Sequence, residues 1–148
     1  MLSKPGKWIL SGLLWVWTGT LYFFIEIVWK IFCGRPETIS WVMLPLAIVL
    51  AIPLERFGAE LPWALPINLQ AWVCTLAITA SEFVAGLILN VWLGLGIWDY
   101  SNMPMNLMGQ ICVPFIVLWW VFSIIAIIML DWMRYAIEGG EKPRYKLL

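Results

Sequence analysis

The 148-residue chain is 63% hydrophobic and only 12% charged, whereas soluble domains are nearer half apolar and a quarter charged. Nine basic and nine acidic residues cancel, leaving no basic field for nucleic acid. With no histidine in the chain, the commonest metal ligand and general base is missing, which argues against zinc chemistry and a Ser-His-Asp triad; no metal or cofactor is expected.

This composition predicts an all-α, polytopic membrane helix bundle, a single transmembrane domain over residues 1–148 with the lipid bilayer as its first partner. Twelve tryptophans fit that reading, because indoles gather at the lipid–water boundary. The opening "MLSKPGKWILSGLLWVW" starts positive, as a signal peptide does. Its apolar run then continues too far, with no small-x-small cleavage site, and reads as a retained first span over about 8–33. Ser11, Trp15, Thr18, Tyr22 and Glu26 recur at spacings of 4, 3, 4 and 4, which places them on one helical face. Gly12 and Gly19 lie along the same side and would admit another helix. Lys30 stands one turn past Glu26, at ion-pair spacing.

"CGRPE" ends that helix. The second span, about 40–54 and written "SWVMLPLAIVLAIPL", is short and holds Pro45 and Pro53; whether it crosses fully is open at this point. "ERFGAELPWALPIN" follows as an interfacial connector. The third span covers about 69–93 with Glu82 near its middle. An ionisable group at that depth costs at least about 2.5–3.5 kcal/mol, so it should face protein or water. Thr75, Thr79, Glu82, Gly86 and Asn90 repeat the 4, 3, 4, 4 spacing. In the simplest packing the two seams face each other. Glu26, Glu82, Asn90 and Tyr22 then share a cavity, within one subunit or at a dimer interface. The carboxylates either bind and exchange a proton or cation, or serve only to hold helices together.

"GIWDYSNMPMNLMGQ", residues 96–110, is polar between two apolar flanks and predicts a structured or re-entrant loop near 94–108. Trp98 can anchor at the interface, and Asp99 and Asn102 favour Asx-type turns within "WDYSN", which also holds Tyr100 and Ser101. Met103 precedes Pro104 and is steered out of the helical region. Asn106 is positioned to cap a fourth span over about 110–130, with Gly109 and Gln110 in its first turn. Non-helical backbone at membrane depth persists only when buried in protein or lining a wet cavity.

Four crossings put both termini on one side. Lys4, Lys7, Arg56, Arg134, Lys142, Arg144 and Lys146 then share that side, against Lys30 and Arg35 on the other. The positive-inside rule makes both termini cytoplasmic in a multi-pass protein of the cell membrane, the cytoplasmic membrane in a bacterium. Cys33, Cys74 and Cys112 fall in or beside apolar runs and read as packing residues.

Residues 81–120, "SEFVAGLILNVWLGLGIWDYSNMPMNLMGQICVPFIVLWW", resemble the family described as putative ABC-transporter type IV, or CmpB-like. The resemblance is carried by a transmembrane Glu followed by Gly, then "WDYS", a P-x-N-x-x-G-x-I-C run and a closing Trp. It implies family positions at Glu82, Gly86, Trp98, Asp99, Tyr100, Ser101, Asn102, Pro104, Asn106, Gly109, Gln110 and Trp119. It is clear mainly over residues 69–125. The first half lacks the family's Gly- and Pro-rich segment with an Arg-Gly pair, although Glu26 corresponds to a first-helix glutamate. A small polytopic membrane protein linked to transport is what the resemblance implies. No Walker-type P-loop is present, so an ATP-driven role would need a separate partner subunit.

The expected function is that of a transporter or permease component moving a small solute or cation past Glu82, with Glu26, Asn90, Asp99 and Tyr22 as binding or path residues. A homo-oligomer, preferably a dimer, is the natural way for so few helices to enclose a path. The alternative is a non-catalytic scaffold or regulatory subunit that docks a partner through the WDYSN loop. An intramembrane hydrolase ranks third, because no nucleophile stands out; the chain is not expected to be an enzyme.

Overall fold

A computed structural model describes residues 4–147. Four helices carry the chain: α1 (Lys4–Phe32), α2 (Met43–Glu60), α3 (Ile67–Gly86) and α4 (Val113–Glu138). A single 3₁₀ turn, Pro36–Thr38, lies between α1 and α2, and α3 runs on as a wider π-helical segment, Leu87–Trp92. A two-stranded hairpin, β1 (Asn106–Leu107) and β2 (Ile111–Cys112), precedes α4.

The ends follow local chemistry. Just past the end of α1, Gly34 takes a left-handed φ of 69° and Pro36 denies the next turn a donor. Pro114 occupies the first turn of α4, where its missing N–H is not needed. α2 extends through Glu55 and Arg56 to Glu60, six residues past the expected end at Leu54. Pro53 does not stop it, because the surrounding turns bury Leu50, Ala51 and Leu54 against the core.

The start of the fourth helix differs from expectation. Residues 106–112 are a hairpin with Asn106 opposite Cys112 and Leu107 opposite Ile111, so Asn106 is not a helix cap and Gly109 and Gln110 are not its first turn. Met108 (φ 54°) and Gly109 (φ 68°) occupy the two central turn positions, and the Gln110 amide closes the turn on the Leu107 carbonyl at 3.0 Å. Two successive positive φ values are those of a type I′ turn.

Packing brings α1 against α2 and α3 against α4, with α2 also touching both α3 and α4. Leu10, Leu14, Leu50, Leu54, Cys74, Ile78, Trp119, Ile127 and Leu130 make the main core. At Gly19 a Cβ would lie 2.5 Å from the Ile48 backbone nitrogen, whereas Gly12 faces open space. Only the first of these two glycines therefore admits a neighbouring helix. Large apolar side chains cover the outer face of α1, where Trp8, Ile9, Leu13, Val16, Phe24 and Val28 are exposed. Among the described residues, three segments are long and apolar enough to cross a membrane: Lys4–Phe32, Ile67–Trp92 and Val113–Glu138. α2, with Glu55, Arg56 and Glu60 in its 18 residues, is not among them.

Candidate functional site: a buried carboxylate beneath a hydrogen-bonded loop

The polar stripe of α3 faces inward. Thr75, Thr79, Glu82 and Gly86 are all buried and Asn90 is half-buried. Glu82 is 6% exposed. Its Oε1 accepts a hydrogen bond from the Tyr100 hydroxyl at 3.2 Å, and its Oε2 accepts one from the Trp119 indole Nε1 at 2.9 Å. Each carboxylate oxygen thus has one neutral donor. Tyr22 lies against Trp119, with ring centroids 5.1 Å apart, and Tyr100 stacks on Phe115 at 4.5 Å. Burial, then the neighbouring Glu82 charge, pushes the Tyr100 phenol well above its ordinary value, so it remains a donor.

The loop that supplies Tyr100 is built from its own hydrogen bonds. Asp99 Oδ1 accepts from the Ser101 amide at 2.8 Å and from its hydroxyl at 2.5 Å. These bonds, the hydroxyl's first, hold the Asp99 carboxyl below the usual carboxylate range. Asn106 Nδ2 donates to the Met103 and Ser101 carbonyls at 2.9 and 3.2 Å, and its Oδ1 accepts from the Gly109 amide at 3.1 Å. Tyr100 N–H donates to the Gly109 carbonyl at 2.8 Å. Gln110, 6% exposed, ties this loop to α3: its Oε1 accepts from Asn90 Nδ2 at 2.9 Å, and its carbonyl accepts from Trp98 Nε1 at 3.0 Å. Asn90 Oδ1 in turn accepts from the Ile97 amide at 2.7 Å. The expected path residues Asn90 and Asp99 both hydrogen-bond to groups of this loop, and Asp99 is exposed. Asn102 and Pro104 are likewise exposed at the loop surface.

Glu26 and Glu82 have separate partners. Glu26 pairs with Lys30 at 2.8 Å, as their spacing predicts, and Lys30 also donates to the Thr38 carbonyl at 2.7 Å and the Ile97 carbonyl at 3.3 Å. The seams of α1 and α3 do not meet face to face, because α1 packs on α2. Tyr22 and Trp119 bridge that gap from α1 and α4.

At the opposite end lies a cluster that sequence reading missed. Glu55 of α2 is 1% exposed and forms an ion pair with Arg134 of α4. It also accepts from Ser11 Oγ at 3.2 Å and from the Trp15 indole at 2.9 Å. Arg134 reaches Ser11 Oγ at 2.7 Å and Glu138 at 3.2 Å. The only signal in the sequence was the polar face of α1, whose first two members, Ser11 and Trp15, turn out to serve Glu55 and not Glu26. Among the described residues, Glu26, Glu55, Glu60, Glu138 and Glu141 each have a basic partner. Glu82 has two neutral donors and no cation.

No curated protein and no solved structure matches the chain. The match to the family described as "Putative ABC-transporter type IV" spans residues 2–139, so it takes in the N-terminal half as well as the loop region where the resemblance is most evident. This small, mostly helical membrane protein belongs to the putative ABC-transporter type IV family.

Proposed function

We propose that the chain is a non-enzymatic transport component that moves a small solute or cation, with Glu82 as the proton- or cation-binding carboxylate. One observation carries the reading: among the described residues Glu82 is buried within α3 without a counter-cation, while the other glutamates of α1, α2 and α4 are paired and the buried Asp131, near the end of α4, accepts from the Tyr145 hydroxyl at 3.2 Å. An isolated buried carboxylate is costly unless a proton or cation neutralises it, and such a group can exchange one for the other. The aromatic and loop groups around it would hold it in place between exchanges. An ATPase, if one drives the process, would be a separate subunit, and a homodimer would supply further helices around the path.

In this reading α2 is a fourth span. Its 18 residues give about 27 Å at a rise of about 1.5 Å each, close to the roughly 30 Å of hydrocarbon. Glu55 lies beside Ser11, near the start of α1, so the chain has returned to the level at which it began. Both termini then sit on one side, which the positive-inside rule assigns to the cytoplasm of the cell membrane.

The test is proton release from purified protein on adding metal and organic cations, paired with flux in vesicles. Glu82→Gln should abolish release and lower flux by about tenfold or more, equivalent to about 1.4 kcal/mol or more, without changing assembly. Full activity in that variant would refute the reading.

A second reading has an observation of its own. The loop uses Asp99, Ser101 and Asn106 in internal hydrogen bonds and leaves Met105, Leu107 and Met108 exposed at 72%, 52% and 62%. An apolar tip of that kind suits a scaffold that docks a partner. On that view Met105→Ser or Leu107→Ser would release a co-purifying partner, and Glu82→Gln would not.

A further inference from the structure

A cleft of about 110 Å³ opens between α1 and α4, with α2 and α3 behind it. Its walls are almost wholly apolar; Leu21, Ile25, Leu50, Phe122 and Ala126 contribute. Tyr22 and Trp119 also line it, and the Trp119 indole donates from this wall to Glu82. A single indole therefore separates an apolar cleft from Glu82, which among the described residues is the glutamate of α1–α4 without an ion pair. Thr18 adds a second sign of a ligand. The residue is 8% exposed and lines the cleft, and its buried Oγ1 has no hydrogen-bond partner.

These features specify a ligand with two parts. The cleft is smaller than the roughly 150 Å³ cavity that accepts benzene, but it is open on one side, so it has room for one ring or a short alkyl group. The Tyr22–Trp119 pair offers ring faces to a cation, and Glu82 behind it supplies the opposite charge. Metal ions meet no ring of oxygens here, since no cluster of acidic and thiol groups suited to a metal occurs among the described residues. Anions are repelled by Glu82.

We infer that this cleft binds organic ammonium ions bearing a small apolar group, which enter sideways from the bilayer with the apolar group between α1 and α4 and the charge against Tyr22 and Trp119, next to Glu82. This rests on the proposed role of Glu82 and adds the substrate class and the route. Thr18 Oγ1 would gain a partner when the ligand carries a hydrogen-bonding group.

The experiment is calorimetric titration of the purified full-length protein with benzyltrimethylammonium, tetramethylammonium and benzenesulfonate, on wild type, Glu82→Gln and Ala126→Leu. Benzyltrimethylammonium is expected to bind at least about tenfold more tightly than tetramethylammonium, as two or more buried methylene equivalents would provide, and benzenesulfonate not at all. Glu82→Gln should lose both cations. Ala126→Leu, which fills part of the cleft, should lose only the preference for the ring. Equal affinity for the two cations, or an unchanged preference in Ala126→Leu, would overturn the cleft while leaving cation binding at Glu82 intact. Binding of benzenesulfonate as tight as that of its cationic counterpart would overturn it too. If neither cation binds, or if Glu82→Gln binds both as wild type does, the inference and the reading beneath it fall together.

Discussion

Glu82 and Glu55 are both buried glutamates, but Glu82 is held by two neutral donors, Tyr100 and Trp119, and Glu55 by the Arg134 guanidinium. The 4, 3, 4, 4 stripe on α3 marks Glu82 as facing protein, and it is buried. Its donors were not legible, because Trp119 lies 37 positions away and Tyr100 18; helical periodicity carries no information about which residue of another element arrives. Trp119→Phe should keep the ring against Tyr22 but orphan Glu82 Oε2, at a cost of about 1–3 kcal/mol. Unfolding midpoints should show that loss shrinking when Glu82→Gln is added, since the two groups act as a pair. Glu55 escaped notice because it follows Pro53 and precedes Arg56, a pattern that reads as the polar end of a span. Its partner Arg134 is 79 positions on. Glu55→Ala takes away the fully buried partner of Arg134 and leaves it Glu138 at 3.2 Å, so the loss should fall at or below the low end of the about 3–5 kcal/mol that breaking a buried pair costs, measurable as a lowered unfolding temperature. Glu60→Ala, in an exposed pair with Arg56, should cost under about 1 kcal/mol.

At the scale of elements, hydrophobic length located all four helices, and the ends moved where tertiary contacts decide them. α2 gained a turn and a half because Glu55 finds a cation. The loop's order, with Asp99 in an Asx-type turn, follows from local chemistry and was legible. The hairpin was not, since Met at a positive-φ turn position lacks the usual Asn or Gly signature. Two glycines make the contrast between elements testable. Gly19→Ala forces a methyl onto the Ile48 backbone and should cost about 1–3 kcal/mol as overpacking, whereas Gly12→Ala, facing open space, should stabilise the helix by up to about 1 kcal/mol. In the loop, Ser101 holds the Asp99 carboxyl below its ordinary value. A lowered folded-state value contributes stability above the unfolded value, near 3.9, and that contribution is lost as pH falls through the lowered one. Protection of the Ser101 amide should therefore weaken on acidification below about pH 4, and Asp99→Asn should remove that dependence.

For the whole molecule, the decisive question is whether α2 crosses, and the native cysteines make it answerable. Cys33 is exposed just past α1, while Cys74 and Cys112 are buried, so an impermeant maleimide should report Cys33 alone. The second reporter is Lys142→Cys in a Cys33→Ser background, placed in the exposed segment after α4. If α2 spans, the two positions lie on opposite faces. Cys33 then labels on intact cells and position 142 only after permeabilisation. If α2 does not span, three crossings put both positions on the same face, and they label together. The contacts favour the first outcome. Ser11 near the start of α1, Glu55 near the end of α2 and Arg134 near the end of α4 share one cluster, and three chain segments cannot meet at one level unless the chain has returned there each time. Opposite labelling with the sides exchanged would keep the four spans and overturn the positive-inside assignment. In that case Lys30 and the groups it ties together, Glu26, Thr38 and Ile97, would lie on the cytoplasmic side.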